Sequence, residues 1–355
     1  MAAGYFSKQI SISAAISIAR ELAYENMPIP VDVAATLIDA DDSETMKILA
    51  AAAEVRYYFF GNKVKLNYLV NVKSGLCPED CAYCTQSKVS TASILKYPLL
   101  EPETVVEGVM GALQYGVKRV CLVGSGRGPT NHEIQKVSQL VKAVMQTNEH
   151  LEVCACFGIL REGQAQKLKE CGVHAYNHNV NTHKEFYPHI CSTHTYEDRV
   201  ATLQKVKQAG LSPCSGLIVG MGESPDQLAL AMRELRELEP DSVPINFLIP
   251  VKGTPLANSN LLSPMYCLRV LAVARLMFGC AEVRVAAGRE LHLRHVQPLA
   301  LYVANSMFLG DYLTTKGQKA ETDLEMVYDA GMVIDAPITV DPNRKVAVEL
   351  KQSKI

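Results

Sequence analysis

A chain of 355 residues, 48% hydrophobic and 20% charged, has material for a large core and the composition of an ordinary globular protein. Its net charge of −2, with no long basic run, argues against a nucleic-acid partner, and no apolar stretch is long enough to span a bilayer. Eleven cysteines are too sparse, and odd in number, for a disulfide scaffold, and the first residues lack the charged and cleavable pattern of an export signal, so reduced thiols in a cytoplasmic protein are expected.

Residues 1–60 are predicted to be a helical segment. Apolar residues recur at helical spacing through Ile10–Leu22 and Met46–Phe60, with Pro28 and Pro30 breaking the pattern between them. Beyond them, short β-branched runs alternate with amphipathic stretches. The predicted strands are Val64–Val72, Arg119–Val123, Glu152–Phe157, Ala175–Asn179, Ser215–Val219, Ser242–Leu248, Glu282–Ala286 and Ala304–Phe308. The predicted helices between them are Pro102–Tyr115, Ile134–Met145, Glu162–Glu170, Tyr196–Gln208, Pro225–Leu238, Met265–Phe278 and Leu291–Leu301. Strand–helix alternation with short connections predicts a parallel sheet, and eight strands favour an α/β fold of the closed (β/α)8 type over residues 61–331. Residues 332–355 fall outside the pattern and are expected to form a C-terminal tail.

In such barrels chemistry sits at the C-terminal ends of the strands, and the unusual polar clusters fall there. The loop after the first strand reads SGLCPEDCAYCTQS, with Cys77, Cys81 and Cys84 spaced C-x3-C-x2-C. A loop that tight can aim three thiolates at one point. Structural zinc takes four closed ligands and a 4Fe–4S cube normally takes four cysteines, so three leave one metal position for something other than protein. This spacing resembles that of radical S-adenosylmethionine (SAM) enzymes. A zinc knuckle with a remote fourth ligand, or chance clustering, stays open on these residues alone.

Further along, GSGRG (Gly124–Gly128) follows the second strand without the spacing of a dinucleotide fingerprint or a P-loop. YNHN follows the fourth, and VRVAAGRE ends the seventh. Cys121, Cys154, Cys214 and Arg284 lie inside runs that should be buried strand. Buried cysteine is an ordinary core residue, whereas an unpaired buried arginine costs several kcal/mol or more. Three thiolates converging on the same interior would supply its countercharge.

Taken in order and spacing, CPEDCAYC, YNHN, CSGLIVGMGE, SVPINF, KGTPL, VRVAAGRE and ANSMFLGDYLTT resemble the biotin synthase family over roughly residues 60–330. The resemblance implies a sulfurtransferase that inserts sulfur into dethiobiotin. It implies a 4Fe–4S cluster on Cys77, Cys81 and Cys84 that binds SAM, and an auxiliary 2Fe–2S cluster as sulfur donor on Cys121, Cys154, Cys214 and Arg284. Cys156 shares a strand face with Cys154 and is the one ambiguous ligand. Cys171, Cys191, Cys267 and Cys280 read as structural. The resemblance further assigns Tyr83, Gly124, Ser125, Asn181, Arg199 and Ile218 to SAM. Asn179 and Asn246 would bind the substrate's ureido group, and Thr314 and Thr315 its carboxylate end. Amide side chains suit a urea-like ring because each offers a donor and an acceptor; strand-end and turn chemistry is the alternative for both asparagines. The family pattern has an aspartate where this chain has Asn181, which removes a charge-assisted bond to the SAM ribose. An external flavodoxin- or ferredoxin-like electron donor and a homodimer are implied as well.

Overall fold

The computed structural model describes residues 10–336. Three helices lead in: α1 (Ile12–Tyr24), α2 (Val31–Ile38) and α3 (Thr45–Phe60). Pro30 stands at the N-cap of α2, so the proline pair ends one helix and begins another that the periodicity does not predict.

The barrel follows in the order β1 (Lys63–Lys73), α4 (Pro102–Leu113), β2 (Arg119–Gly124), α5 (Asn131–Met145), β3 (Glu152–Cys156), α6 (Gln164–Glu170), β4 (Ala175–Asn177) and α7 (Tyr196–Gln208). It continues with β5 (Ser212–Cys214), β6 (Leu217–Val219), α8 (Pro225–Glu237), β7 (Ser242–Phe247), α9 (Pro264–Phe278) and β8 (Glu282–Val285). The last elements are α10 (Arg289–Leu293), α11 (Gln297–Ala300), β9 (Ser306–Leu309), α12 (Ala320–Asp329) and β10 (Val333–Ile334). Every named pairing is parallel, and β9 returns to β1 through Lys65↔Ser306, which closes the sheet. Both β5 and β6 pair with β7 and act as one stave, giving the eight-strand barrel that the alternation predicts. That stave is interrupted at Ser215–Gly216 because the two backbones nearly touch there: a Cβ on Gly216 would lie 1.8 Å from the Pro244 carbonyl oxygen.

Capping boxes at Thr130/Glu133, Thr195/Asp198 and Ser224/Gln227 start α5, α7 and α8. Helix α9 is buried from Cys267 to Phe278, because the barrel covers its inner side while α1, α2 and α3 cover the outer one. The N-terminal helices are thus a cap packed on α8 and α9.

Three local expectations change. The predicted helix Leu291–Leu301 is broken into α10, a 3-10 turn at Arg294–Val296 and α11, since Arg294 takes φ +51° and leaves the helical region. Helix α12 was not predicted. The sequence boundary at residue 332 falls just before β10, which pairs with Lys63 and Val64 of β1 and is held further by Lys118–Asp335 at 2.8 Å. The remainder of the expected tail, residues 337–355, lies outside the described residues.

The turn after β9 is locked by Arg289, whose guanidinium meets Asp323 at 2.6 Å with both side chains at most 1% exposed. Arg289→Met leaves the Asp323 carboxylate buried without its cation and is expected to cost about 3–5 kcal/mol. The urea midpoint measures it; an unchanged midpoint would mean α12 does not depend on this pair.

Candidate active site

The C-terminal ends of the strands open into a cavity of about 380 Å³. Of the residues the sequence assigns to a site, all except Cys154 and Cys214 line it, and those two lie fully buried beneath its floor.

At the rim, the loop after β1 turns at Gly75 (φ +74°) and Leu76 (φ +54°), which points the chain back over the lumen ahead of Cys77. Hydrogen bonds from Cys84 N to the Cys81 carbonyl (3.1 Å) and from Ser87 N to the Cys84 carbonyl (3.2 Å) wind the loop into turns. Gln86 accepts from Gly75 N at 2.9 Å, and Ser125 donates to the Gly75 carbonyl at 2.6 Å, which fastens the loop to the end of β2. A second set of ties reaches across the barrel. Asp80 accepts from Ser192 N at 2.9 Å and Thr193 N at 3.2 Å, while Glu79 takes Thr193 Oγ1 at 2.6 Å and His194 Nδ1. The three thiols therefore sit on a loop held from both sides. Burial pushes the Cys77 and Cys84 thiols up, and Cys81 is raised first by its hydrogen bond with Cys191 and then by burial. Loading a metal on this set releases protons. Three thiols lining one cavity fit a cube with one position left open toward the lumen.

On the floor, Cys121 of β2 and Cys154 of β3 are register partners, and Cys214 ends β5 opposite Asn177. The Cys154 thiol hydrogen-bonds both Cys121 and Cys214, so it sits between them. Those bonds raise Cys154. The bond from Cys154 is the first cause that lowers Cys121 and lowers Cys214 to about 5, with Arg284 and Arg119 assisting at both and Asn177 Nδ2, 3.2 Å away, at Cys214. Arg284, 1% exposed, reaches Ser242 Oγ (2.9 Å), Ser306 Oγ (3.2 Å) and the Glu282 carboxylate. Its Nη1 lies 3.9 Å from Cys214 Sγ and its guanidinium stands 5.1 Å over the Phe308 ring. Both readings of Arg284 are therefore present: partner of a buried carboxylate and neighbour of the thiols. The expected set of Cys121, Cys154, Cys214 and Arg284 comes together, and its donors fit a small cluster held by three thiolates. Cys156 lines the cavity above them, pushed up to about 12 by burial, without a sulfur hydrogen bond to the group.

Beneath the thiols lies a charge network. Glu282 also meets Arg119 at 3.1 Å and Lys65 at 3.3 Å, and Glu152 meets Arg119 at 2.7 Å and Lys65 at 2.6 Å. Burial opposes ionisation of Glu282, but Arg284, Arg119 and Lys65 outweigh it and hold the carboxyl well below the usual range.

Between rim and floor the amides differ. Asn179 accepts through Oδ1 from Asn177 Nδ2 and Gly216 N, both at 3.0 Å, which leaves its amide hydrogens as the group it can offer the cavity. Asn246 is engaged at both ends, donating to the Leu217 carbonyl at 3.1 Å and accepting from Ala287 N at 3.3 Å, so one hydrogen and one lone pair remain. Asn181 takes φ +70° and donates Nδ2 to the Tyr83 hydroxyl at 2.7 Å. Arg199 is a buried clamp on the Tyr187 hydroxyl, the Asn179 carbonyl (2.7 Å) and His194 Nε2 (2.9 Å). Gly124 packs under the Phe157 ring, which a Cβ would approach to 2.7 Å, while Ser125 and Ile218 line the same wall. Thr314 meets Thr85 across the mouth at 2.8 Å, and the Thr315 carbonyl accepts from Tyr312 N at 2.9 Å.

The sequence reading passed over one group. Cys191, taken as a structural thiol, lies 3.8 Å from Cys81 Sγ and 3.2 Å from His194 Nδ1. Its C-x-x-H spacing (Cys191, His194) was the available signal.

A family model described as the radical SAM superfamily matches residues 71–235, and one described as the biotin and thiamin synthesis associated domain matches residues 244–333. The biotin synthase of Streptomyces avermitilis is 54% identical over 309 residues, spanning 87% of this chain and 79% of its own length. That of Renibacterium salmoninarum is 53% identical over 321 residues, spanning 90% and 94%. Among solved structures, a [FeFe]-hydrogenase maturase, HydG, superposes with a TM-score of 0.79 at 16% identity, covering 92% of this chain and 77% of that one. Methylornithine synthase gives 0.75 at 21% identity, covering 88% and 96%. These two share the fold.

Glu282→Gln leaves Lys65 and Arg119 with Glu152 as their remaining carboxylate and takes from Arg284 its carboxylate partner, and is expected to cost about 3–5 kcal/mol at neutral pH. Because the native carboxyl is depressed below 4.5, that contribution is present above the unfolded-state value and lost as pH falls through the native one. Urea midpoints of both chains should therefore converge in acid. A difference that stays constant with pH would mean that Glu282 is not an ionised partner.

Proposed function

The chain belongs to the biotin synthase family of radical SAM enzymes, and we propose that it converts dethiobiotin to biotin with the rim and floor thiols holding two different clusters. The observation that carries this reading is the stacking of two thiol sets at two depths of one closed lumen, with amide and hydroxyl side chains between them. Cys77, Cys81 and Cys84 would hold a 4Fe–4S cluster with SAM on its open position. Cys121, Cys154, Cys214 and Arg284 would hold a 2Fe–2S cluster. When bound, the first would supply the electron for reductive cleavage of SAM, and with it an oxidant for unactivated C–H bonds, and the second would supply the sulfur.

The protein's own part is binding, orientation and exclusion of water. The free amide hydrogens of Asn179, and the remaining hydrogen and lone pair of Asn246, would meet the ureido oxygen and nitrogens of dethiobiotin. Thr314 and Thr315 would take the carboxylate end at the mouth, which lays the reacting carbons between the two thiol sets. Tyr83, Gly124, Ser125 and Ile218 would line SAM. Arg199 has guanidinium hydrogens left after its three internal bonds, so its effect on the SAM carboxylate combines contact with the fixing of His194 and the Asn179 backbone. Asn181 would offer Oδ1 to the ribose. An external flavodoxin- or ferredoxin-like donor, a homodimer and a cytoplasmic setting complete the proposal; no helix among the described residues is long and apolar enough to cross a membrane.

A maturase-like or methylornithine-forming activity on the same barrel would not require the interior set. Anaerobic loading followed by iron and sulfide analysis and an optical spectrum separates the readings: two distinct clusters are expected, and a single cube would overturn the proposal. Alanine at Cys77, Cys81 or Cys84 should abolish SAM cleavage with the barrel still folded, and a variant that cleaves SAM fully would remove the rim assignment.

The floor set should uncouple the two chemistries. Cys154→Ala is expected to lose the 2Fe–2S absorption and biotin formation while keeping some SAM cleavage, whereas Cys156→Ala keeps the absorption. Arg284→Met should retain an altered spectrum. Because Glu282 still has Arg119 and Lys65, its stability loss should stay below the roughly 3–5 kcal/mol of an orphaned buried charge. An unaltered spectrum with a large loss of stability would make Arg284 a purely structural partner.

A further inference from the structure

Cys191 and Cys81 are the sulfur pair of the rim. Their Sγ atoms lie 3.8 Å apart and both residues are buried. The loops that carry them are bonded on either side of the pair, by Ala82 N to the Ile190 carbonyl at 2.8 Å and by Ser192 N to Asp80 at 2.9 Å. Closure to a disulfide bond of about 2.05 Å then asks for side-chain rotation within a fixed frame. The surroundings are unlike those of a packed core thiol: Asp80 Oδ1 is 3.3 Å from Cys191 Sγ, Thr193 Oγ1 3.6 Å and His194 Nδ1 3.2 Å.

Cys81, Cys191 and His194 also bring three ligand atoms within 4.8 Å of one another, as a metal site would. The hydrogen bonds of His194 speak against that use. Arg199 can only donate, so His194 Nε2, 2.9 Å from its guanidinium, is the acceptor, and Nδ1 carries the proton toward Glu79. Neither nitrogen has a lone pair free for a metal without breaking one of these bonds.

We propose that Cys81 and Cys191 form a reversible disulfide when the cube is absent, so that this chain parks one rim ligand and gates reloading by its thiol redox state. The inference rests on the assignment of Cys81 to the cube. Cys81 lines the cavity and is the sulfur that a small disulfide reaches. The Cys81 sulfur attacks one sulfur of a low-molecular-weight disulfide RSSR while its proton, held toward Cys191 Sγ, is passed on to the departing sulfur, which leaves as RSH. The Cys191 sulfur then attacks Sγ of Cys81 in the mixed disulfide and releases the second RSH. The two thiols give up two electrons and two protons, and RSSR is reduced to two RSH. In the bonded form Cys77 and Cys84 alone remain for iron, and Cys81 is shielded from irreversible oxidation.

The test starts from full-length chain loaded anaerobically with iron and sulfide, whose reductive SAM cleavage, a reaction of the rim set and not of the floor set, reports on the cube assignment by itself. The loaded chain is stripped with a chelator, treated with oxidised glutathione, alkylated and mapped by peptide mass spectrometry. The expected product is a Cys81–Cys191 cross-link in most of the chains, with loss of most iron uptake until dithiothreitol restores it. Cys191→Ser should instead retain glutathione on Cys81, and Cys191→Ala should show the same adduct, with thermal midpoints confirming that both variants fold. A glutathione adduct that persists on Cys81 of the unsubstituted chain would overturn the proposal. So would a cross-link to Cys77 or Cys84, or zinc found protecting both thiols from alkylation. A chain that never cleaves SAM but still forms the Cys81–Cys191 bond would refute the cube assignment and leave the disulfide standing.

Discussion

Everything in the lumen depends on how the barrel floor accommodates buried charge. Lys65, Arg119 and Arg284 project toward the same depth as Glu152 and Glu282, so the side chains alone leave an excess of one positive charge there. In a low-dielectric interior that excess needs an anionic partner, and the group directly above it is three thiols. Arg284 and Arg119 add to the depression of Cys121 and Cys214, whose first cause is the bond from Cys154. A cluster ligated by thiolates and carrying net negative charge fits the same place, and the network would then act as its counterion. Glu282 is the shared element, since it touches all three cations and lies in β8 two residues before Arg284.

The distribution of roles along the lumen follows from strand geometry. Side chains at the N-terminal half of the staves must be packed or paired because the barrel core is closed around them, which is where the charge network lies. Side chains at the C-terminal ends face a cavity and keep unspent hydrogen-bonding groups, as Asn179 does. The rim loop has no strand to support it, so Glu79 and Asp80 fasten it to the segment around Thr193. Those two residues lie inside the cysteine motif itself, between Cys77 and Cys81. The motif thus encodes its own anchorage as well as its ligands.

The staves and the thiol sets were legible in the sequence because each leaves a strong local trace: β-branched runs at regular intervals, and cysteine or arginine where apolar residues belong. Elements stabilised by tertiary contact left none. Helix α2, eight residues directly after Pro30, is too short for periodicity to detect, α12 owes its place to the buried Arg289–Asp323 pair, and β10 consists of two residues recognised only through their partners on β1. The break at Arg294 depends on a backbone angle that composition does not announce. The two asparagines read alike as ureido ligands, yet Asn179 has its oxygen filled and keeps both amide hydrogens, while Asn246 keeps one hydrogen and one lone pair, a difference set by which strand lies alongside. Cys191 leaves only its C-x-x-H spacing as a trace, because its sulfur partner is distant in sequence and only the joined loops bring the two together.

Asn181, where the family pattern has aspartate, shows how one replacement can be tolerated by its neighbours. The residue sits at φ +70°, a region that asparagine and aspartate enter more readily than other side chains, so the backbone accepts either. Its backbone is tied to the next stave on both sides, donating to the Gly216 carbonyl at 3.1 Å and accepting from Ile218 N at 2.9 Å, which fixes where the side chain must start. From there Nδ2 reaches the Tyr83 hydroxyl at 2.7 Å. A carboxylate could only accept from that hydroxyl; the amide donates to it and keeps Oδ1 for another partner. The lost charge weakens any bond to a ribose hydroxyl, but the amide gains a directed donor to the hydroxyl of Tyr83, a residue of the cysteine loop. A fixed negative charge and a directed donor to the rim loop are thus exchanged at one position.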